Sequence, residues 1–136
     1  MKQGKIVSFL ATMLLPAAVV YAGVHHAIEV HITLDTQGNA IGASGGLAAA
    51  HNSADANQDI NCVARLTGGF CFAHDATDDT AGVVNSALCF TQDANFLARI
   101  GTIDSDAFVT FGFDPTTGQC TTIEVRHNSA YGPKAP

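Results

Sequence analysis

The chain has no tryptophan and only two tyrosines, and it carries six basic residues against twelve acids. Each scarcity closes a class of function. Sugar recognition by aromatic stacking has little to work with. Nucleic acid and anionic membrane surfaces both require a basic footprint, which is missing. No C-x-x-C spacing occurs, which argues against a structural zinc site, and without C-x-x-C-H there is no covalent haem attachment. Neither G-x-S-x-G nor H-E-x-x-H is present, and no carboxylate pair stands apart from ordinary loop acids. Asp75, Asp78 and Asp79 lack the alternating spacing of an EF-type calcium loop and read as solvated loop acids. There is no internal repeat and no linker.

What is present begins with a leader. Lys2 and Lys5 precede an uncharged apolar run over 6–15. Small residues follow, with Val20 and Ala22 three and one positions before a peptidase cut. This pattern predicts a secretory signal peptide over 1–22. The whole stretch over 6–22 is close to the roughly 20 residues a membrane span needs, but the cleavage pattern favours export, to the periplasm or the extracellular space. No cysteine follows the cut to carry a lipid anchor, so no membrane attachment is expected after processing. Residues 23–136 then form one domain with four basic residues against twelve acids, large enough for one modest core.

The clearest architecture lies near the end. Two runs rich in β-branched and aromatic residues, 106–114 and 120–126, flank a Pro/Thr/Gly connection, which predicts a β-hairpin. Val109, Phe111 and Phe113 share one face of the first run; Thr121, Ile123 and Val125 share one face of the second. Thr110, Gly112, Glu124 and Arg126 fall opposite. Residues 27–35 alternate cleanly, with Ile28, Val30, Ile32 and Leu34 on the apolar side. His31 beside Glu29 reads as a solvent-facing strand residue. A turn over 35–39 offers Gly38 or Asn39 for positive φ, and 40–43 returns as a partner strand. Gly45 and Gly46 are expected to break any element, 47–51 fits strand or helix equally, and 52–59 reads as polar loop. A second hairpin joins 60–66 to 70–74 through a turn at 67–69, and 83–90 fits another short strand. Residues 91–100 predict one short helix, with Phe96, Leu97 and Ile100 on one face and Gly101 closing it. The expectation is a mainly β, antiparallel two-layer sandwich with one short helix, stapled by two disulfides.

Cys62, Cys71, Cys89 and Cys120 are an even set in a chain read as exported, so two bridges are expected. A hairpin turn centred on Gly68 and Gly69 places Leu66 opposite Cys71 and leaves Cys62 out of register. That favours Cys71–Cys89 with Cys62–Cys120, ahead of Cys71–Cys120 with Cys62–Cys89.

Histidine supplies one specific chemistry. Processing after Ala22 exposes Gly23, Val24 and His25. A free amine, two backbone amides and an imidazole at the third residue resemble the amino-terminal copper- and nickel-binding motif, a four-nitrogen square suited to Cu(II) or Ni(II). His26 preserves the pattern if the cut moves by one residue. No other cofactor is expected.

The segments 54–62 (ADANQDINC), 71–75 (CFAHD) and 131–136 (YGPKAP) resemble a group of small exported bacterial proteins of uncharacterised function. These share Asn-Gln-x-Ile-x-Cys, Cys-x-Ala-x-Asp and a terminal Pro-Lys-x-Pro. The resemblance implies a secreted β-rich domain and carries over no activity, cofactor or catalytic residue. The functional expectation is an exported, non-enzymatic binding or interaction domain with a protein or small-molecule partner. The alternatives are a periplasmic Cu(II)/Ni(II)-binding protein, and a secreted inhibitor or small enzyme.

Overall fold

In a computed structural model, residues 29–75 and 85–127 are described. Along them run β1 (His31–Leu34), β2 (Ala40–Gly46), α1 (Leu47–His51), β3 (Asp59–Arg65) and β4 (Gly68–His74). Then follow β5 (Ser86–Thr91), α2 (Ala94–Ile100), β6 (Ala107–Phe113) and β7 (Cys120–His127). The strands form a four-stranded sheet in the order β1-β2-β6-β7 and a three-stranded sheet in the order β3-β4-β5. Every pairing within the two sheets is antiparallel. One core lies between them: Val30, Ile32, Val109, Phe111 and Ile123 from the first layer, and Ile60, Cys71, Ala73, Ala87 and Cys89 from the second. The fold is the mainly β, disulfide-stapled two-layer domain that the alternating pattern implies.

In the four-stranded sheet the period-2 reading holds with local shifts. Val109, Phe111 and Ile123 are buried and Phe113 packs against the core. Between Gly112 and Phe113 the register slips, so Phe113 faces Cys120 while Gly112 faces Thr122. Thr121 is the extra residue of a bulge and points to solvent, not to the core face expected of it. A second slip between Thr33 and Leu34 turns Leu34 outward. β2 does not stop at the glycine pair; it runs through Gly45 and Gly46, which pair with Val109 and Phe108. Both hairpins of this sheet close on an aspartate. Asp35 accepts from the backbone N–H groups of Gln37 (2.8 Å) and Asn39 (2.9 Å), and Asp114 from that of Thr116 (2.8 Å). Gly38 takes the positive φ of 84° that the first turn requires.

The three-stranded sheet overturns the expected cysteine pairing. The bridges are Cys62–Cys71 and Cys89–Cys120. The hairpin turn is Leu66-Thr67, with Arg65 opposite Gly68, so Cys62 stands directly opposite Cys71 with Cα atoms 4.0 Å apart. Gly68 and Gly69 belong to β4, not to the turn. Cys71 also faces Cys89 on its other side, so three cysteines stand in one row. Antiparallel ladders alternate narrow, non-hydrogen-bonded pairs with wide, hydrogen-bonded ones. The short Cα distance makes Cys62–Cys71 a narrow pair, and alternation makes Cys71–Cys89 a wide one. Phe90, the next residue, accordingly turns its N–H out of the sheet to Gly118 (2.9 Å). Cys89 bridges instead to Cys120, at the start of β7, and ties the two sheets together.

The helix expected over 91–100 is α2. Its cap is Asp93, whose carboxylate accepts from the N–H groups of Asn95 (2.7 Å) and Phe96 (3.2 Å). It packs on Gly69, where a Cβ would stand 2.8 Å from Leu97 Cδ2 and 2.7 Å from the Val63 carbonyl oxygen. Only glycine permits that approach. At 47–51, where strand and helix fit equally, the chain makes the single turn α1.

Candidate functional site

The three-stranded sheet wears its large side chains outside. Its inner face is built from Ile60, Cys62, Cys71, Ala73, Ala87 and Cys89, all buried. The alternate positions put Val63, Phe70, Phe72, Leu88 and Phe90 on the opposite side. Phe70 and Phe72 stack along β4 with ring centroids 6.1 Å apart, and Phe70 meets Phe90 across the strands at 6.4 Å. The Arg65 guanidinium sits 5.3 Å above the Phe70 ring, a cation–π contact at one edge of the patch. Phe90 keeps 51% of its surface exposed and Leu88 47%, and Leu66 at the hairpin tip is fully exposed. A contiguous apolar face of this kind marks an interaction surface more than scattered exposed residues do.

Around the free edge of β3 the aromatic face passes into a cleft of about 630 Å³, with Phe72 at the junction. Its floor is apolar: Leu47, Ala48 and Ala50 of α1, and Ile60 of β3. The alanines leave the room that larger side chains would fill. Asn52 ends α1 by returning both its backbone N–H (3.1 Å) and its amide (2.7 Å) to the Ala48 carbonyl. The loop then folds back through Ser53 and Asp55, whose side chains accept from the N–H groups of Asp55 (3.1 Å) and Asn57 (2.8 Å). This brings Gln58 under the cleft, 5% exposed, with its side-chain oxygen buried and lacking a hydrogen-bond partner among the described residues. Among the described residues the rim carries the carboxylates of Asp55, Asp59 and Asp106 and the imidazole of His51.

His74 is positioned by β4 opposite Asp59, and its Nδ1 lies 2.6 Å from the Asp59 carboxylate. Ser86 faces His74 from β5, so acid, imidazole and hydroxyl stand in one row. Among the described residues no hydrogen bond joins Ser86 to His74. Asp75 is held by Asn85, accepting from its backbone N–H (3.0 Å) and its amide (2.9 Å). Asp78 and Asp79 lie outside the described residues, as do the segment 1–22 read as a signal peptide, Gly23, Val24 and His25, Ile28 and the segment 131–136. Among the described residues no three of His, Cys, Asp and Glu come together to hold a metal ion. None of their helices is long and apolar enough to cross a membrane.

Of the residues singled out from sequence, the four cysteines come together as the two staples and His74 gains a partner. The aromatic face and Gln58 were missed. The signal for the face was present: Phe70, Phe72, Leu88 and Phe90 alternate with Cys71, Ala73, Ala87 and Cys89. Hydrophobicity alone does not say which of those alternate sets turns inward. No protein-family model, no curated protein and no solved structure matches this chain.

Proposed function

We propose that the protein is an exported, non-catalytic interaction domain that docks a protein partner on the outer face of its three-stranded sheet. The observation that carries this reading is the solvent-side array of Phe70, Phe72, Leu88 and Phe90. Aromatic anchors of this type dominate binding energy at protein interfaces, and Arg is enriched beside them. Arg65, held over Phe70, fits a partner that offers apolar side chains with a carboxylate at their margin. Export to the periplasm or beyond is supported by the leader pattern over 1–22 and by two disulfides in place of free thiols. The resemblance of 54–62 and 71–75 to small exported bacterial proteins points the same way.

The test is site-specific photo-crosslinking in the native exported fraction, with the probe at Leu88 or, as control, at exposed Thr122 on β7. The expected result is a discrete adduct from position 88 that Phe90→Asp removes, and none from position 122. Equal adducts from both positions, or none from 88, contradict the reading.

A further inference from the structure

On the reading that the outer face of the three-stranded sheet docks a protein, we infer that its partner is a second copy of this chain, packed face to face about a two-fold axis. The face is complementary to itself. β3 is seven residues long and turns Asp59 outward at one end and Arg65 at the other, roughly 20 Å apart. Arg65 lies over Phe70, and none of the ion pairs among the described residues includes it. Asp59 holds His74 at 2.6 Å, and half of its side chain stays exposed. A neutral imidazole occupies part of that carboxylate without cancelling its charge. The surface that suits Arg65 is apolar with an acid at its margin, and this face is such a surface.

One arrangement satisfies both ends. A two-fold axis lying in the face, across the strands at the Cys62–Cys71–Cys89 row, reverses the strands of the second copy. Counting outward from that row, Arg65 of each copy meets Asp59 of the other, so the ion pair forms twice. The same operation sets Phe70 on Phe72 and Leu88 on Phe90, and each exposed apolar side chain finds another. An axis along the strands would instead set Arg65 on Arg65. Isologous two-fold pairing is the commonest route to a dimer. Sheets pack in this way with strand axes nearly aligned, about 10 Å apart. The footprint, three strands at about 4.8 Å over about 20 Å of length, is smaller than the roughly 800 Å² per partner of a standard interface. A reversible dimer is expected, not an obligate one.

Sedimentation equilibrium of the purified, oxidised protein tests this, together with the photo-probe at Leu88 in the same sample. The expected result is a monomer–dimer equilibrium and an adduct of twice the chain mass, joined near Phe90 of the second copy. Arg65→Asp and Asp59→Arg should each weaken self-association at least about tenfold, because each sets like charges together twice. Mixed in equal amounts, the two variants should recover association to within about threefold of the parent, since both ion pairs re-form between unlike chains. Glu124→Gln, on the other sheet, should change it less than about twofold. Single variants that associate like the parent, or a mixture of folded variants that stays as weak as its components, would overturn the two-fold arrangement. A parent that remains monomeric up to about 1 mM, while the probe captures another protein in the exported fraction, overturns self-pairing and leaves the docking reading standing. No adduct in either sample contradicts both.

Discussion

The two sheets solve the same packing problem with opposite distributions of bulk. The four-stranded sheet turns Val109, Phe111 and Ile123 inward and leaves Thr110, Glu124 and Arg126 outside, so its stability comes from ordinary apolar burial. The three-stranded sheet turns Ile60 and otherwise cysteines and alanines inward, and four large apolar side chains outward. Its inner side chains are mostly small, and the Cys62–Cys71 bridge within it, the Cys89–Cys120 bridge to the other sheet and a helix seated on Gly69 complete its packing. One layer is built for stability. The other trades its largest side chains for an outward surface, and that surface carries the proposed function.

The comparison predicts where substitutions hurt. The largest effect belongs to Phe111→Ala, which should cost roughly 3–5 kcal/mol through lost burial and the cavity left behind. Thr110→Ala, on the opposite face of β6, should be nearly silent. Equal losses from the two by denaturant titration would mean that the faces of β6 do not differ as described. Next come the bridges. Removing Cys89–Cys120 by double serine replacement should cost about 4 kcal/mol, and removing Cys62–Cys71 about 2.5 kcal/mol, because the first closes the longer loop. Its sequence separation is 31 against 9. Thiol labelling of the unfolded, unreduced protein should find no reactive cysteine. Gly69→Ala should cost about 1–3 kcal/mol, because the added Cβ would stand 2.7 Å from the Val63 carbonyl oxygen as well as 2.8 Å from Leu97; a neutral result would show that β3 and α2 do not approach Gly69 as closely as described.

Much of this was legible and some was not, for identifiable reasons. The β6–β7 hairpin could be read because one strand face is strongly apolar and the other is not, which leaves a single way to bury it. Bulges are invisible to a period-2 count, so Thr121 and Leu34 were placed on the wrong face. The cysteine pairing failed on one local decision. Gly68-Gly69 has the composition of a turn, yet Gly69 is there because Leu97 and Ile100 press on it from a helix distant in sequence. Moving the turn to Leu66-Thr67 brings Cys62 opposite Cys71 and changes every pairing between β3 and β4. The cleft had no sequence signature at all. It is assembled from α1, the loop before β3, Phe72 and the 105–106 turn, which come together only through tertiary packing.

The smallest expected effect concerns acid. The Asn39 amide, together with backbone N–H groups, holds the Asp35 carboxyl below its ordinary value, and the Thr116 N–H does the same for Asp114. A carboxylate whose value is lowered on folding contributes stability that is complete above its unfolded value, near pH 4. That contribution is lost as pH falls through the lowered folded value. Both groups belong to hairpins of the four-stranded sheet, whereas the Leu66-Thr67 turn of the other sheet contains no carboxylate. Amide exchange at Asn39 and Thr116 should therefore rise on acidification relative to exchange at Gly68. Parallel changes at all three would remove this distinction between the sheets.

The central claim is that the bulk on the three-stranded sheet's outer face serves recognition and not stability. The double variant Leu88→Thr/Phe90→Thr tests it most directly, since threonine is β-branched and well suited to a strand while it removes the exposed apolar surface. Denaturant titration should place the variant within about 1 kcal/mol of the parent. A loss of several kcal/mol, comparable to that of Phe111→Ala, would show that the outward residues hold the fold together and would contradict the account.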